Sequence, residues 1–280
     1  TSAHRFRQRA RVGNNMRQGP GGGRGLGRRW SPTVSIRRRD AMNKPPQLCR
    51  WVLATVTLVT ALSGAPQVRA EPQVPVATHA LEKAPTAEML PGKGPVQKGD
   101  WFDGVWGQRR AEFRQRALGD QGAVVFLGDS ITQGWGEPGK YFPKYRCANR
   151  GISGDTTRGI LYRLAEDVLA LHPAAVVLLI GTNDIDIGAN PADVADNLKA
   201  ILTALKNSNA KLPVIVCRVM PSAASLRRPA AKIQQLNALV DEWVARDPQF
   251  IRCDTYTIFA DEQGEAKPAE FPDRLHLNAA

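Results

Sequence analysis

The chain has 280 residues, 42% of them apolar, and a formal net charge of +12. That apolar share excludes a wholly disordered protein, and the length leaves room for a domain with a sizeable core. The charge is concentrated at the start: residues 1–41 carry +10, residues 42–70 carry +3 and residues 71–280 carry −1, so the bulk of the chain gives no support to nucleic-acid binding.

Residues 1–41 hold eleven Arg and one acid, Asp40. An Arg/Gly-rich arm of this kind can contact phosphates, and a disordered tail is the plainer alternative. A third reading starts at Met42. A short basic segment ends at Arg50, an apolar run follows from Trp51 to Leu62, and Val68 and Ala70 are the small residues of a cleavage site. The pattern predicts a signal peptide over 42–70, too short to span a bilayer comfortably. Signal peptides open a chain, so residues 1–41 are expected to be upstream, non-native sequence. The exported protein then begins near Glu71, secreted or periplasmic, with no stable membrane insertion after cleavage. Residues 71–99, rich in Pro, Ala, Gly and Lys, predict a linker without a core, and 100–280 the folded domain.

Within that domain, Gly104 to Leu118 reads as a helix with Trp106, Phe113 and Ala117 on one face. Ala123 to Leu127 is apolar without alternation, as a strand covered on both faces requires. It stops in Gly128-Asp129-Ser130, where a helix begins. Trp135 to Tyr145 reads as irregular, and Arg146 to Ile152 as a weak strand. Asp155 or Thr156 caps a helix with Leu161, Leu164, Val168 and Leu171 at helical spacing, ended by His172-Pro173. A third strand, Ala174 to Ile180, runs into Gly181-Thr182-Asn183-Asp184. Asn190-Pro191 opens a helix carrying Val194, Leu198, Ile201 and Leu205. Pro213 to Val219 is a strand, Arg228 to Arg246 a helix, Gln249 to Cys253 a strand. A polar loop then leads to Asp273-Arg274-Leu275-His276. The alternation predicts a parallel sheet with helices on both faces. Cys147, Cys217 and Cys253 have no C-x-x-C spacing and His is scarce, so no zinc is expected, and the chain is read as needing no cofactor; Cys217 and Cys253 read as core thiols.

Doubly wound topology brings the carboxyl ends of strands to one edge. Ser130, Gly154 and Asn183 lie at or after such ends. A serine is a poor nucleophile without a base. Of the domain's two histidines, His172 precedes a strand and belongs at the opposite edge, so His276 is the candidate base. Asp273, three residues earlier, can accept its imidazole N–H and fix the tautomer. Ser130 N–H, Gly154 N–H and the Asn183 amide can stabilise an oxyanion. Each motif has a plainer reading alone: a strand-to-helix turn, a turn glycine, a capping Asn, a surface turn. Trp135, near the nucleophile, can stack on a sugar ring or simply pack.

The four blocks Gly128-Asp129-Ser130-Ile131-Thr132, Ile152-Ser153-Gly154-Asp155-Thr156, Gly181-Thr182-Asn183-Asp184 and Asp273-Arg274-Leu275-His276-Leu277 resemble those of the SGNH, or GDSL-type, hydrolases. The resemblance covers about Trp106 to Asn278 and is closest to the platelet-activating-factor acetylhydrolase-like branch. It implies an α/β fold: a three-layer, flavodoxin-like parallel sheet of about five strands in the order 2-1-3-4-5. It implies a metal-free esterase with Ser130 as nucleophile, His276 as base, Asp273 as its orienter, and Ser130, Gly154 and Asn183 as the oxyanion hole. Members continue past the His block into a last helix, so the natural gene is expected to continue beyond Ala280. With no long insertion after Ser130 or Asn183, an open site for short, acetyl-type esters is expected, on carbohydrate or another small-molecule alcohol. Lipid acyl esters are the first alternative, and a non-catalytic carbohydrate-binding protein on the same fold the second. Oligomeric state is not legible.

Overall fold

The computed structural model describes residues 82–278. The expectations for residues 1–81 and for the chain beyond Asn278 lie outside the described residues. Five parallel strands, β1 (Val124–Gly128), β2 (Cys147–Gly151), β3 (Ala175–Leu179), β4 (Val214–Cys217) and β5 (Phe250–Cys253), form one sheet in the order 2-1-3-4-5. The expected strand order is therefore observed. Successive side chains of a strand point to opposite faces. Ala123, Val125 and Leu127 accordingly join one core with Val176 and Leu178, and Val124 and Phe126 join a second with Val177 and Leu179.

Helices α1 (Asp100–Arg116), α2 (Ser130–Gly134), α3 (Thr157–Asp167), α4 (Thr182–Asp186), α5 (Pro191–Ser208) and α6 (Ala230–Val244) connect or precede the strands. Ile160 and Leu164 of α3, Val194, Leu198 and Ile201 of α5, and Ile233, Leu236 and Val240 of α6 all pack into the first core. The second face is covered differently. Ile131 of α2, Phe142, Met220, Phe259 and Phe271 close it, most of them from irregular chain.

Two departures from the sequence reading have physical causes. Of the face expected for α3, Leu164, Val168 and Leu171 are buried and Leu161 is only half-buried, because the helix also buries Ile160, Arg163 and Asp167. Arginine reads as a solvent-facing residue, but Arg110 and Arg163 on helices and Arg150 on β2 are among the largest fully buried side chains here. They are neutralised by buried acids: Arg110 by Asp167, Arg150 by Asp120, and Arg163 by Asp155. Phe113 lies between Arg150 and Arg163, 4.8 and 5.8 Å from their guanidinium carbons.

The second departure corrects the expected linker. Residues 82–99 lie along the domain instead of hanging from it. Arg158 donates to the carbonyls of Ala87, Leu90, Pro91 and Gly94. Asn197 and Lys93 exchange hydrogen bonds at 2.9 Å in both directions. Glu82 pairs with Arg110 and Arg114. Composition predicts a tether because the segment has little apolar surface of its own. Its backbone carbonyls are bound instead by a buried guanidinium, an interaction that composition does not reveal.

Candidate active site

Asp129 caps α2 by accepting the Ile131 N–H at 3.0 Å, which leaves Ser130 as the first residue of that helix, at the carboxyl end of β1. Ser130 Oγ lies 2.9 Å from His276 Nε2, and His276 Nδ1 lies 2.7 Å from Asp273 Oδ2. A carboxylate can only accept, so Nδ1 carries the proton and Nε2 presents its lone pair to the serine hydroxyl. Burial raises the Asp273 pKa, but the N–H groups of His276 and Leu275 and the imidazole outweigh it and hold the group at about 2. The three side chains singled out from sequence thus stand in one hydrogen-bonded line.

The histidine reaches the serine from far along the chain, and its loop is tied down. Arg274 adopts a left-handed backbone, φ 65, which disfavours a side chain. It is held there at both ends: its carbonyl accepts from Ser222 Oγ at 2.9 Å, and its guanidinium donates to Glu265 at 2.7 Å. Asn278 donates through its N–H to Glu270 and through its amide to Ala269. His172 takes φ 47 three residues before β3, at the amino end of that strand, as its position in the sequence implies.

Gly154 and Asn183 come to the same edge. Gly154 has φ 83, a conformation that favours glycine, and a methyl group built on it would lie in tight contact, 3.1 Å, with the side chains of Trp101 and Phe102. The Ser153 N–H and hydroxyl donate to Gln133 of α2 at 2.7 and 2.9 Å, lashing this loop to the serine's helix. Asn183 donates from Nδ2 to the Asp155 carbonyl at 2.9 Å and accepts at Oδ1 from Arg228 at 3.1 Å. Arg228 thereby sets the amide's orientation and leaves one Nδ2 hydrogen uncommitted. The N–H groups of Ser130 and Gly154 have no acceptor among the described residues.

Beneath these groups sit three buried carboxyls. Burial pushes Asp129 up to about 7, with the charges of Asp155 and Asp184 adding to it. Burial likewise raises Asp155 and Asp184 to about 6, against the opposing pull of Arg163 on the first and of the Thr157 hydrogen bonds on the second. Among the described residues no three His, Cys, Asp or Glu side chains converge as a metal site would need.

Trp135 is occupied in packing. It is half-buried, its ring 6.5 Å from that of Phe142 at 19° and 5.3 Å from that of Phe126. Residues that sequence reasoning missed are Arg163, Arg228, Ser222 and Gln133, which position the others. Only their polarity within otherwise apolar or turn segments hinted at them.

The profile of the GDSL-like lipase/acylhydrolase family matches residues 126–280. Platelet-activating factor acetylhydrolase IB subunit alpha1 of Homo sapiens is 28% identical over 183 residues, covering 63% of this chain and 77% of that protein. Subunit alpha2 of Rattus norvegicus is 32% identical over 123 residues, covering 40% of this chain and 52% of its own. The crystal structure of a GDSL-like lipase from Bacteroides thetaiotaomicron superposes with a TM-score of 0.51 at 28% identity, covering 60% of this chain and 90% of that one. No helix among the described residues is long and apolar enough to cross a membrane. With more than half of the chain matched by the family profile, this protein belongs to the GDSL-like lipase/acylhydrolase family of ester hydrolases.

Proposed function

We propose that this family member is an exported serine esterase that removes short, acetyl-type acyl groups from a larger alcohol, a carbohydrate in the first instance. The observation that carries the mechanism is the unbroken hydrogen-bonded line from Asp273 through His276 to Ser130. His276 takes the Ser130 proton as the oxygen attacks the ester carbonyl. Ser130 N–H, Gly154 N–H and the free Asn183 N–H hold the oxyanion. His276 then gives its proton to the departing alcohol, and water repeats the sequence on the acyl-enzyme.

The site's openness at the base supports a short acyl group on a large alcohol: the side chains of His276 and Asp273 remain 43% and 57% exposed among the described residues. The acetylhydrolase relatives favour acetyl as the acyl group. The family's lipase designation favours lipid acyl esters as the second reading. A panel of p-nitrophenyl esters of increasing acyl length, run beside acetylated sugars and phospholipids, separates the two. Fastest cleavage of long-chain or phospholipid esters would reject the first.

Two results are expected of the machinery. Asn183→Ala should lower kcat by on the order of 10²–10³, the usual loss for one oxyanion donor. A fall below about fivefold would remove Asn183 from the hole.

The second concerns pH. Asp129, Asp155 and Asp184 have pKa values of about 7, 6 and 6 in the folded chain, above an unfolded carboxyl near ~3.9. Their contribution to stability is complete below the unfolded value and is lost as pH rises through 6 to 7. The thermal midpoint should therefore fall between pH 5 and pH 8. Asp273, held at about 2, stays ionised throughout this range, so the carboxylate that orients His276 keeps its charge. Measuring Tm across these buffers checks the sign. A midpoint that rises between pH 5 and pH 8 would contradict the account.

A further inference from the structure

Trp101 is the second residue of α1 and 61% exposed, one of three large apolar side chains left open among the described residues. It takes no part in the cluster that α1 builds from Phe102, Trp106 and Phe113 against Ile152. Those residues recur at helical spacing, and Trp101 lies about 100° round from them. A single exposed aromatic is unremarkable by itself. What sets Trp101 apart is its neighbour. Its ring edge reaches Gly154 closely enough that a methyl group on that glycine would lie 3.1 Å from Cζ3.

The placement is fixed from both sides. Arg158, four residues after Gly154, binds the carbonyls of Ala87, Leu90, Pro91 and Gly94. Asn197, which binds Lys93, also donates to Thr157 Oγ1 at 3.0 Å, and Thr157 donates to Asp184, next to Asn183. The segment before α1 is thus anchored to the loops that carry Gly154 and Asn183. It delivers an indole to the rim of the serine site.

We infer that Trp101 is a substrate-contacting residue of this esterase, a platform for the alcohol half of the ester, and that the half it favours is a ring with a flat apolar face, such as a pyranose. The inference rests on the serine-esterase reading above. An ester bound with its carbonyl carbon at Ser130 and its oxygen at Gly154 N–H lies beside the glycine that the Trp101 ring edge borders. The indole stands open to solvent. An open rim suits the half that departs into water after acylation, while the short acyl group stays on Ser130. Aromatic faces provide broad apolar contact at low conformational cost, and truncating such a contact raises KM rather than lowering kcat.

The test is steady-state kinetics of the full chain, wild type against Trp101→Ala and Trp101→Phe. The substrates are an acetylated methyl pyranoside, ethyl acetate, and p-nitrophenyl acetate and butyrate. For the pyranoside, Trp101→Ala should lose about tenfold in kcat/KM, mainly in KM, and Trp101→Phe should recover most of it. Ethyl acetate should change less than twofold, and the acetate-to-butyrate ratio should not move. Equal losses on pyranoside and ethyl acetate, or a changed acyl ratio with an unchanged alcohol ratio, would overturn the inference. A wild-type protein that cleaves no ester and leaves Ser130 unmodified by a fluorophosphonate would instead reject the esterase reading itself.

Discussion

Ser130→Ala is expected to abolish ester hydrolysis, with kcat falling by on the order of 10⁴–10⁶. The hydroxyl makes one hydrogen bond, to His276, at the edge of the sheet, so its loss leaves no buried polar group without a partner. The fold should survive, with a Tm close to wild type. The oxyanion donors and the histidine also survive, which leaves a small residual rate by water attack. Two controls give the result its meaning. The circular dichroism spectrum should be unchanged, and the same batch should still bind a slowly hydrolysed substrate. Retention of more than a few per cent of activity would place the nucleophile elsewhere.

Arg163→Met is expected to give the largest loss of stability of any single side chain near the site, about 3–5 kcal/mol. Arg163 is fully buried and its Nε donates to Asp155 at 2.8 Å. Its Nη2 donates to the carbonyls of Gly128 and Arg150 at 3.2 and 2.9 Å. One guanidinium therefore ties the turn before Ser130, the end of β2 and the loop after Gly154. Methionine fills much of the volume but leaves the buried Asp155 carboxyl without its cation, with only the Thr156 N–H still donating to it, and takes one donor from each of the Gly128 and Arg150 carbonyls. Denaturant unfolding measures the cost. Should the single variant not accumulate, the double variant Asp155→Asn with Arg163→Met provides the second reading. It should be more stable than Arg163→Met alone, because the unpaired charge is gone. A cost under about 1 kcal/mol for Arg163→Met, or a double variant less stable than it, would contradict this role.

The parallel sheet was legible because its strands are buried on both faces. Val124 to Leu127 and Ala175 to Leu179 are unbroken apolar runs, a pattern that partly exposed strands do not allow. Helix α5 was legible for a similar reason, with Asn190 capping, Pro191 in the first turn and Val194, Leu198, Ile201 and Leu205 in register. The positions of Ser130, Gly154, Asn183, Asp273 and His276 followed from strand ends and short motifs. What composition and periodicity concealed was the polar interior. Arg110, Arg150, Arg163 and Arg228 are costly to bury and are buried only because Asp120, Asp155, Asp167, Asn183 and backbone carbonyls receive them. Apart from Asp155, eight residues from Arg163, those partners lie far off in sequence, so no local pattern announces them. Residues 82–99 were misread for the same reason. Trp135 and Trp101 exchanged places: proximity in sequence to Ser130 pointed to the first, which packs on Phe126 and Phe142. The second stands beside Gly154, across a chain separation that only the fold closes.

The central claim is that Ser130 is the activated nucleophile, and covalent capture tests it most directly. Wild-type protein treated with a fluorophosphonate should gain the mass of one phosphonyl group, and peptide mapping should place it on Ser130. The rate of capture should depend on the His276 imidazole that meets Ser130 Oγ, so His276→Ala should slow it strongly while leaving the fold intact. Capture on another residue, or esterase activity that persists after Ser130 is fully modified, would contradict the account.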